Sequence, residues 1–204
     1  MKGLKFALTG LVLGAAWCAS AEKLVTHGDT VAMMGDSITQ YGTADSAGYV
    51  QLFLRAIRTT GVSDFTFVGA GVAGNTSTDM RERFVRDVVN KNPTVVTINS
   101  GVNDIRFGFP AHYDTYRDNL NYMVDQAKGV GAKVVLMTPT GAAGEGTNEL
   151  VHALAGIMRE VAADKHVTLA DSYVYFRAAV EDPQAPAMDA AGHKATVDGL
   201  HMGP

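Results

Sequence analysis

Cysteine is almost missing from this chain. Of 204 residues one is cysteine, Cys18, and the single tryptophan, Trp17, stands directly before it. Both fall in a stretch that reads as a removable leader. Lys2 and Lys5 give it a basic start, residues 6–16 are apolar but too short for a stable bilayer-spanning helix, and Ala19-Ser20-Ala21 supplies a small-x-small cleavage site. Residues 1–21 are therefore expected to be a secretory signal, with a secreted or periplasmic mature chain from Glu22. A lipid anchor on Cys18 fits less well, because bulky Trp17 occupies a position where a small residue is expected. Without Cys18 the mature chain has no thiol, which excludes disulfides, a cysteine nucleophile and cysteine metal ligands.

Clustered positive charge is missing too. The formal charge is −4, and removal of a leader holding two lysines and no acid moves it to −6. No run of Lys and Arg occurs, which argues against a nucleic-acid partner. After the leader, no apolar stretch approaches the roughly 20 residues that a membrane helix needs, so no membrane anchor is expected. No histidine pair has the helical ligand spacing of H-E-x-x-H, so neither a metal nor a cofactor is expected. With 47% hydrophobic and 19% charged residues, residues 22–204 suit one globular domain with a substantial core.

What is present is alternation. Residues 30–34 (TVAMM) read as a buried strand. Residues 47–60 carry Val50, Phe53, Leu54 and Ile57 at the spacing of one helix face, closed by Gly61. A second strand at 65–68 leads through the glycine-rich GAGVAGNTS to a second helix. That helix has Met80, Phe84, Val85, Val88 and Val89 on one side, a cap at Thr76 or Ser77, and a stop at Lys91-Asn92-Pro93. Residues 94–98 form a third strand. Residues 113–128 follow as a helix with Tyr116, Leu120, Met123, Val124 and Ala127 as its buried stripe. A strand at 133–137, a helix at 148–163, a strand at 167–170, a short helix at 173–180 and a surface loop at 181–194 complete the order. Short apolar strands alternating with amphipathic helices predict a five-stranded, doubly wound parallel sheet of the α/β class.

In such sheets the active residues gather beyond the carboxyl ends of the strands. Ser37 follows the first strand, Gly74 the second and Asn103 the third. A serine where a buried strand ends, beside turn-permitting Gly35, is well placed as a nucleophile. Its plain alternative is an N-cap. The turn is not the nucleophile elbow of the α/β-hydrolases, since Thr39 stands where G-x-S-x-G requires glycine.

Acyl transfer by serine needs a base, a group to orient that base and donors for the oxyanion. Among six histidines, His201 has a carboxylate three residues back across a glycine-containing turn, Asp198-Gly-Leu-His201. The other five lie in elements or in loops with no carboxylate arranged to orient them. The backbone N–H groups of Ser37 and Gly74 and the Asn103 amide are candidate oxyanion donors. Their plain alternatives are a turn glycine and a loop asparagine bonded to its own backbone.

GDSIT at 35–39, the glycine of AGNTS at 73–77, GVND at 101–104 and DGLH at 198–201 resemble the four sequence blocks of the SGNH (GDSL) hydrolases. The resemblance covers nearly all of the mature chain. It implies a flavodoxin-like, three-layer α/β/α sandwich and metal-independent ester hydrolysis through an acyl-serine. Ser37 would be the nucleophile, His201 the general base and Asp198 its partner, with Ser37, Gly74 and Asn103 forming the oxyanion hole. A backbone carbonyl could hold His201 in place of Asp198. Two departures stand out. Gly71 and its neighbours occupy the place where many members carry an asparagine before the block-two glycine. The chain also ends at Pro204, three residues past His201, where the family usually continues into a helix that packs on the sheet. The expectation is that a longer gene product carries that helix.

Phe107, Phe109, His112 and Tyr113 follow Asn103 as candidates for lining the substrate, with core packing as the alternative. GDSITQYG, GVND and VDGLHM together are most similar to bacterial members thought to remove acetyl groups from polysaccharides. The expected partner is therefore a small ester or an acetylated glycan. A lipase or lysophospholipase for longer acyl chains, and a secreted glycan-binding protein without turnover, are the alternatives.

Overall fold

Burial on both faces explains the first strand. In a computed structural model, which describes residues 23–106, 112–140 and 147–181, β1 (Asp29–Gly35) alternates two apolar sets. Val31 and Met33 point into one core with Val50, Leu54 and Ile57 of α2 (Tyr49–Thr59). Ala32 and Met34 point into the other. There they meet Met80 and Phe84 of α3 (Ser77–Asp87) and Leu120, Met123 and Val124 of α5 (Tyr113–Gly129). Met158 of α6 (Thr147–Asp164) completes that side. Such a strand has no polar face to alternate with, hence its continuous apolar run.

Five parallel strands take the order β2-β1-β3-β4-β5, with β2 at Phe65–Gly71, β3 at Val95–Asn99, β4 at Lys133–Met137 and β5 at Thr168–Ala170. This is the flavodoxin-like arrangement expected from the sequence. The strand order reverses between β1 and β3, and the crevice outside the carboxyl ends at such a reversal is where ligands bind in open α/β sheets. Register brings the exits level: Gly35 pairs with Gly71, and Met34 with Ile98.

Three local features differ from the sequence reading. The turn after β1 winds into a helix, α1 (Ser37–Ala44), and α4 (Val102–Arg106) forms after β3. The helix expected to run to Lys91 ends at Asp87. Val88 leaves helical geometry and is fully buried, and a 3₁₀ turn over Val89–Lys91 closes at Asn92 in the left-handed region, φ 52°. The last helix among the described residues, α7, spans Ser172–Glu181. Among the described residues no helix is long and apolar enough to cross a membrane, and no group of three or more His, Cys, Asp or Glu side chains could hold a metal ion. The leader, Asp198 and His201 lie outside the described residues, as does any helix beyond them.

Candidate active site

Gly35 is where the site begins. A Cβ there would lie 1.9 Å from Thr39 Oγ1, so only glycine lets the chain leave β1 beneath α1. Asp36, not Ser37, caps that helix: its Oδ1 accepts from the Ile38 N–H at 2.8 Å. Ser37 is thereby freed from the capping role and becomes the first helical residue, with its N–H in a turn whose amides point out of the helix end. Thr39, fully buried, shares a 2.8 Å hydrogen bond between its Oγ1 and the Tyr49 hydroxyl, which fixes α1 against α2.

The second turn is tied to the first. The Val72 N–H donates to the Gly35 carbonyl at 3.0 Å, and the Ala73 N–H to Gln40 Oε1 at 2.6 Å. Gly74 then adopts φ +80°, a left-handed conformation that disfavours any residue with a Cβ. Thr76 closes the loop as the N-cap of α3, in a capping box with Asp79.

Asn103, on α4, joins the third turn to the second. It is almost fully buried, and its Nδ2 donates to the Asn75 carbonyl at 3.0 Å. That is a bond to a segment 28 residues away, not to its own loop backbone. An amide nitrogen carries two hydrogens, so this bond leaves one for a ligand. The structure thus brings the turns of Ser37, Gly74 and Asn103 onto one connected rim.

Two further residues hold that rim, and neither was singled out from sequence. Arg83 is 8% exposed and lies beneath it. Its Nε donates to Asn75 Oδ1 at 2.5 Å, Nη1 to the Ala70 carbonyl at 2.9 Å and Nη2 to the Gly35 carbonyl at 2.9 Å. Nη1 also reaches Asp87 Oδ2 at 3.2 Å. Desolvation lowers the arginine's pKa, with Asp87 opposing, yet a guanidinium keeps its charge at neutral pH. The signal for it was available: Arg83 shares one face of α3 with Met80 and Phe84, so a charge stands beside two core residues.

Asp104 is the other. Both its oxygens accept from the Ser77 N–H, at 3.1 and 3.0 Å, and Oδ1 accepts from Ser77 Oγ at 2.5 Å. Burial pushes its carboxyl above the ordinary value, and the Ser77 bonds pull the other way. Asn119 continues the chain, donating from Nδ2 to Ser77 Oγ and Thr78 Oγ1, each at 3.0 Å.

Beside Gly74 opens a cavity of about 540 Å³, lined by Thr76, Asp79, Asp104, His112 and Leu154 among others. That size is ordinary for a small-molecule site. His112 is exposed at its edge, whereas Tyr113 is half-buried against the main core. Phe107 and Phe109 lie outside the described residues.

Known proteins resemble this chain along most of its length. The model of the GDSL-like lipase/acylhydrolase family matches residues 33–204. An acetylxylan esterase of Geobacillus stearothermophilus is 28% identical over 136 residues, 56% of this chain and 61% of that protein. A lipoprotein of Bacillus subtilis (strain 168), YqeF, is 30% identical over 116 residues, 54% of this chain and 48% of its own. The chain thus spans less than two thirds of each of these two relatives. The crystal structure of an acetyl xylan esterase, AlAXEase, superposes with a TM-score of 0.71 at 27% identity, covering 85% of this chain and 91% of that one. With all four sequence blocks inside the matched span, the chain belongs to the GDSL-like lipase/acylhydrolase family, the SGNH hydrolases.

Proposed function

We propose that the protein is a serine carboxylic ester hydrolase that removes O-acetyl groups from a carbohydrate by way of an acyl-enzyme. Ser37 Oγ attacks the ester carbonyl, and His201, oriented by Asp198, takes its proton and passes it to the sugar oxygen as the acyl C–O bond breaks. The N–H groups of Ser37 and Gly74 and the Asn103 amide stabilise the oxyanion. Water, activated by the same histidine, then releases acetate. The observation that carries this reading is the 3.0 Å bond from Asn103 Nδ2 to the Asn75 carbonyl. It joins the two donor-bearing turns into one rim beside the Ser37 turn, at the sheet's reversal point.

The acetyl-carbohydrate part rests on two supports. Relatives named as acetylxylan esterases recur among both the similar sequences and the similar structures. The cavity beside Gly74 also presents threonine hydroxyls and carboxylates beside Leu154, a lining that can bond sugar hydroxyls.

The test is hydrolysis of p-nitrophenyl acetate by the parent and by Ser37→Ala. Turnover is expected to fall at least ~1,000-fold in a variant whose circular dichroism matches the parent. A p-nitrophenyl series from acetate to octanoate should show activity dropping with chain length. Activity rising toward octanoate would replace this reading with a lipase. A folded, inactive parent that still binds acetylated xylan would replace it with a glycan-binding protein.

A further inference from the structure

We infer that Arg83 is a positioning residue of the oxyanion machinery, holding the Ser37 and Gly74 turns in their reactive geometry from beneath. The inference rests on the proposed roles of Ser37, Gly74 and Asn103.

A buried guanidinium loses its hydration, and an apolar side chain of similar volume usually serves stability as well or better. Its salt-bridge partner among the described residues, Asp87, has a side chain 25% exposed and sits 3.2 Å away. Arg83 is therefore poorly explained as an ion pair. Its other three bonds share one direction, toward the carboxyl ends of β1 and β2 and the loop that follows.

Two of those bonds land beside proposed catalytic turns, and the third holds Ala70 at the end of β2. The Gly35 carbonyl accepts from both Arg83 Nη2 and the Val72 N–H, so one atom fixes the peptide two residues before Ser37 and the entry to the Gly74 loop. Asn75 receives Arg83 Nε on its side chain and Asn103 Nδ2 on its carbonyl. The guanidinium thus reaches the Asn103 amide through a single residue. Lysine cannot copy this: it offers one nitrogen, whereas the three contacts use three different nitrogens of a planar fork.

The test combines Arg83→Lys, Asn75→Ala and Asn103→Ala on p-nitrophenyl acetate, with kcat and KM measured separately. Arg83→Lys is expected to lower kcat ~10- to 100-fold with KM within about twofold, since misplacement of catalytic donors costs turnover rather than binding. Asn75→Ala alters a partly exposed loop side chain, removes no core volume and deletes only the acceptor of Arg83 Nε. It leaves a buried guanidinium N–H without that partner, which costs some stability, so kcat is read well below the melting transition. There it should still fall ~10-fold, which separates positioning from stability. In the Asn103→Ala background, Arg83→Lys should cost less than it does in the parent, because part of its effect passes through Asn75 to the Asn103 amide.

Loss of kcat in Asn103→Ala with full kcat in Asn75→Ala would overturn the inference while leaving the proposed function standing. The same holds if the Arg83→Lys and Asn103→Ala effects simply multiply. Unchanged kcat in Asn103→Ala would instead overturn the proposed oxyanion hole itself.

Discussion

Single side chains decide how the Asn103 segment is held, and Asp104 is the clearest case. Its half-buried carboxylate takes three hydrogen bonds from Ser77, yet desolvation raises its pKa above the ordinary 3.8. A carboxyl with a raised folded pKa favours folding most when protonated. Its contribution is complete below 3.8 and declines as pH rises through the folded value. Asp104→Asn keeps an acceptor for Ser77 and removes the titrating charge. The melting temperature of the parent minus that of Asp104→Asn should therefore fall as pH increases from 3.8 upward, read by thermal melts at intervals to pH 7. Asp104→Ala leaves the Ser77 donors without this partner and should cost about 1–3 kcal/mol at neutral pH. A difference that stayed flat with pH would mean that Asp104 acts through shape alone.

Helices and strands were legible to the extent that burial is periodic. The stripe Tyr116, Leu120, Met123, Val124 and Ala127 recurs at helical spacing, and all five are buried along α5. α1 was illegible because SITQYGTA has only eight residues, with glycine and two threonines among them, and its cap lies inside the catalytic block. Asp104 and Asn119 were illegible for another reason, as was the bond from Arg83 to Gly35. Those contacts span 27 to 48 residues, and a contact between distant segments leaves no local pattern in either. The Ser37, Gly74 and Asn103 turns were legible because each follows a recognisable strand. At this scale the capping box of α3 carries a prediction. Thr76 and Asp79 each accept from the other's backbone N–H, at the helix end that also presents Gly74 and receives Asp104. Thr76→Ala should destabilise the protein by about 1 kcal/mol in urea unfolding. Activity should fall with it, because the Gly74 loop loses its anchor. Lost stability with unchanged kcat would show that the loop is held sufficiently from the Arg83 side.

Across the whole molecule, carboxylates respond to acid with opposite signs. Asp104 gains from protonation, whereas Asp87, held down by Arg86 and Arg83, and Asp171, held down by Arg159, lose their partners when protonated. A lowered folded pKa contributes stability in full above the ordinary value of 3.8, and that contribution disappears as pH falls through the folded value. Asp171 is the informative one, because its carboxylate ties three elements. Arg159 of α6 donates to it at 2.7 and 3.0 Å, and Thr138 beyond β4 at 3.0 Å. The Tyr173 N–H at the start of α7 in turn bonds Thr138 Oγ1 at 2.9 Å. Both charged side chains are roughly a quarter to a third exposed, at 30% and 26%, so solvent screening holds the pair to about 1 kcal/mol. Arg159→Gln should therefore lie about that much below the parent in urea unfolding at pH 7. The gap should narrow as pH falls below 3.8 and through the lower folded value, where Asp171 takes up its proton. Arg159 also stacks 5.8 Å from the Tyr173 ring centre, a contact indifferent to the protonation of Asp171. A gap that keeps its size as pH falls would assign the latch between α6 and α7 to that stacking, and a closing gap assigns it to the ion pair.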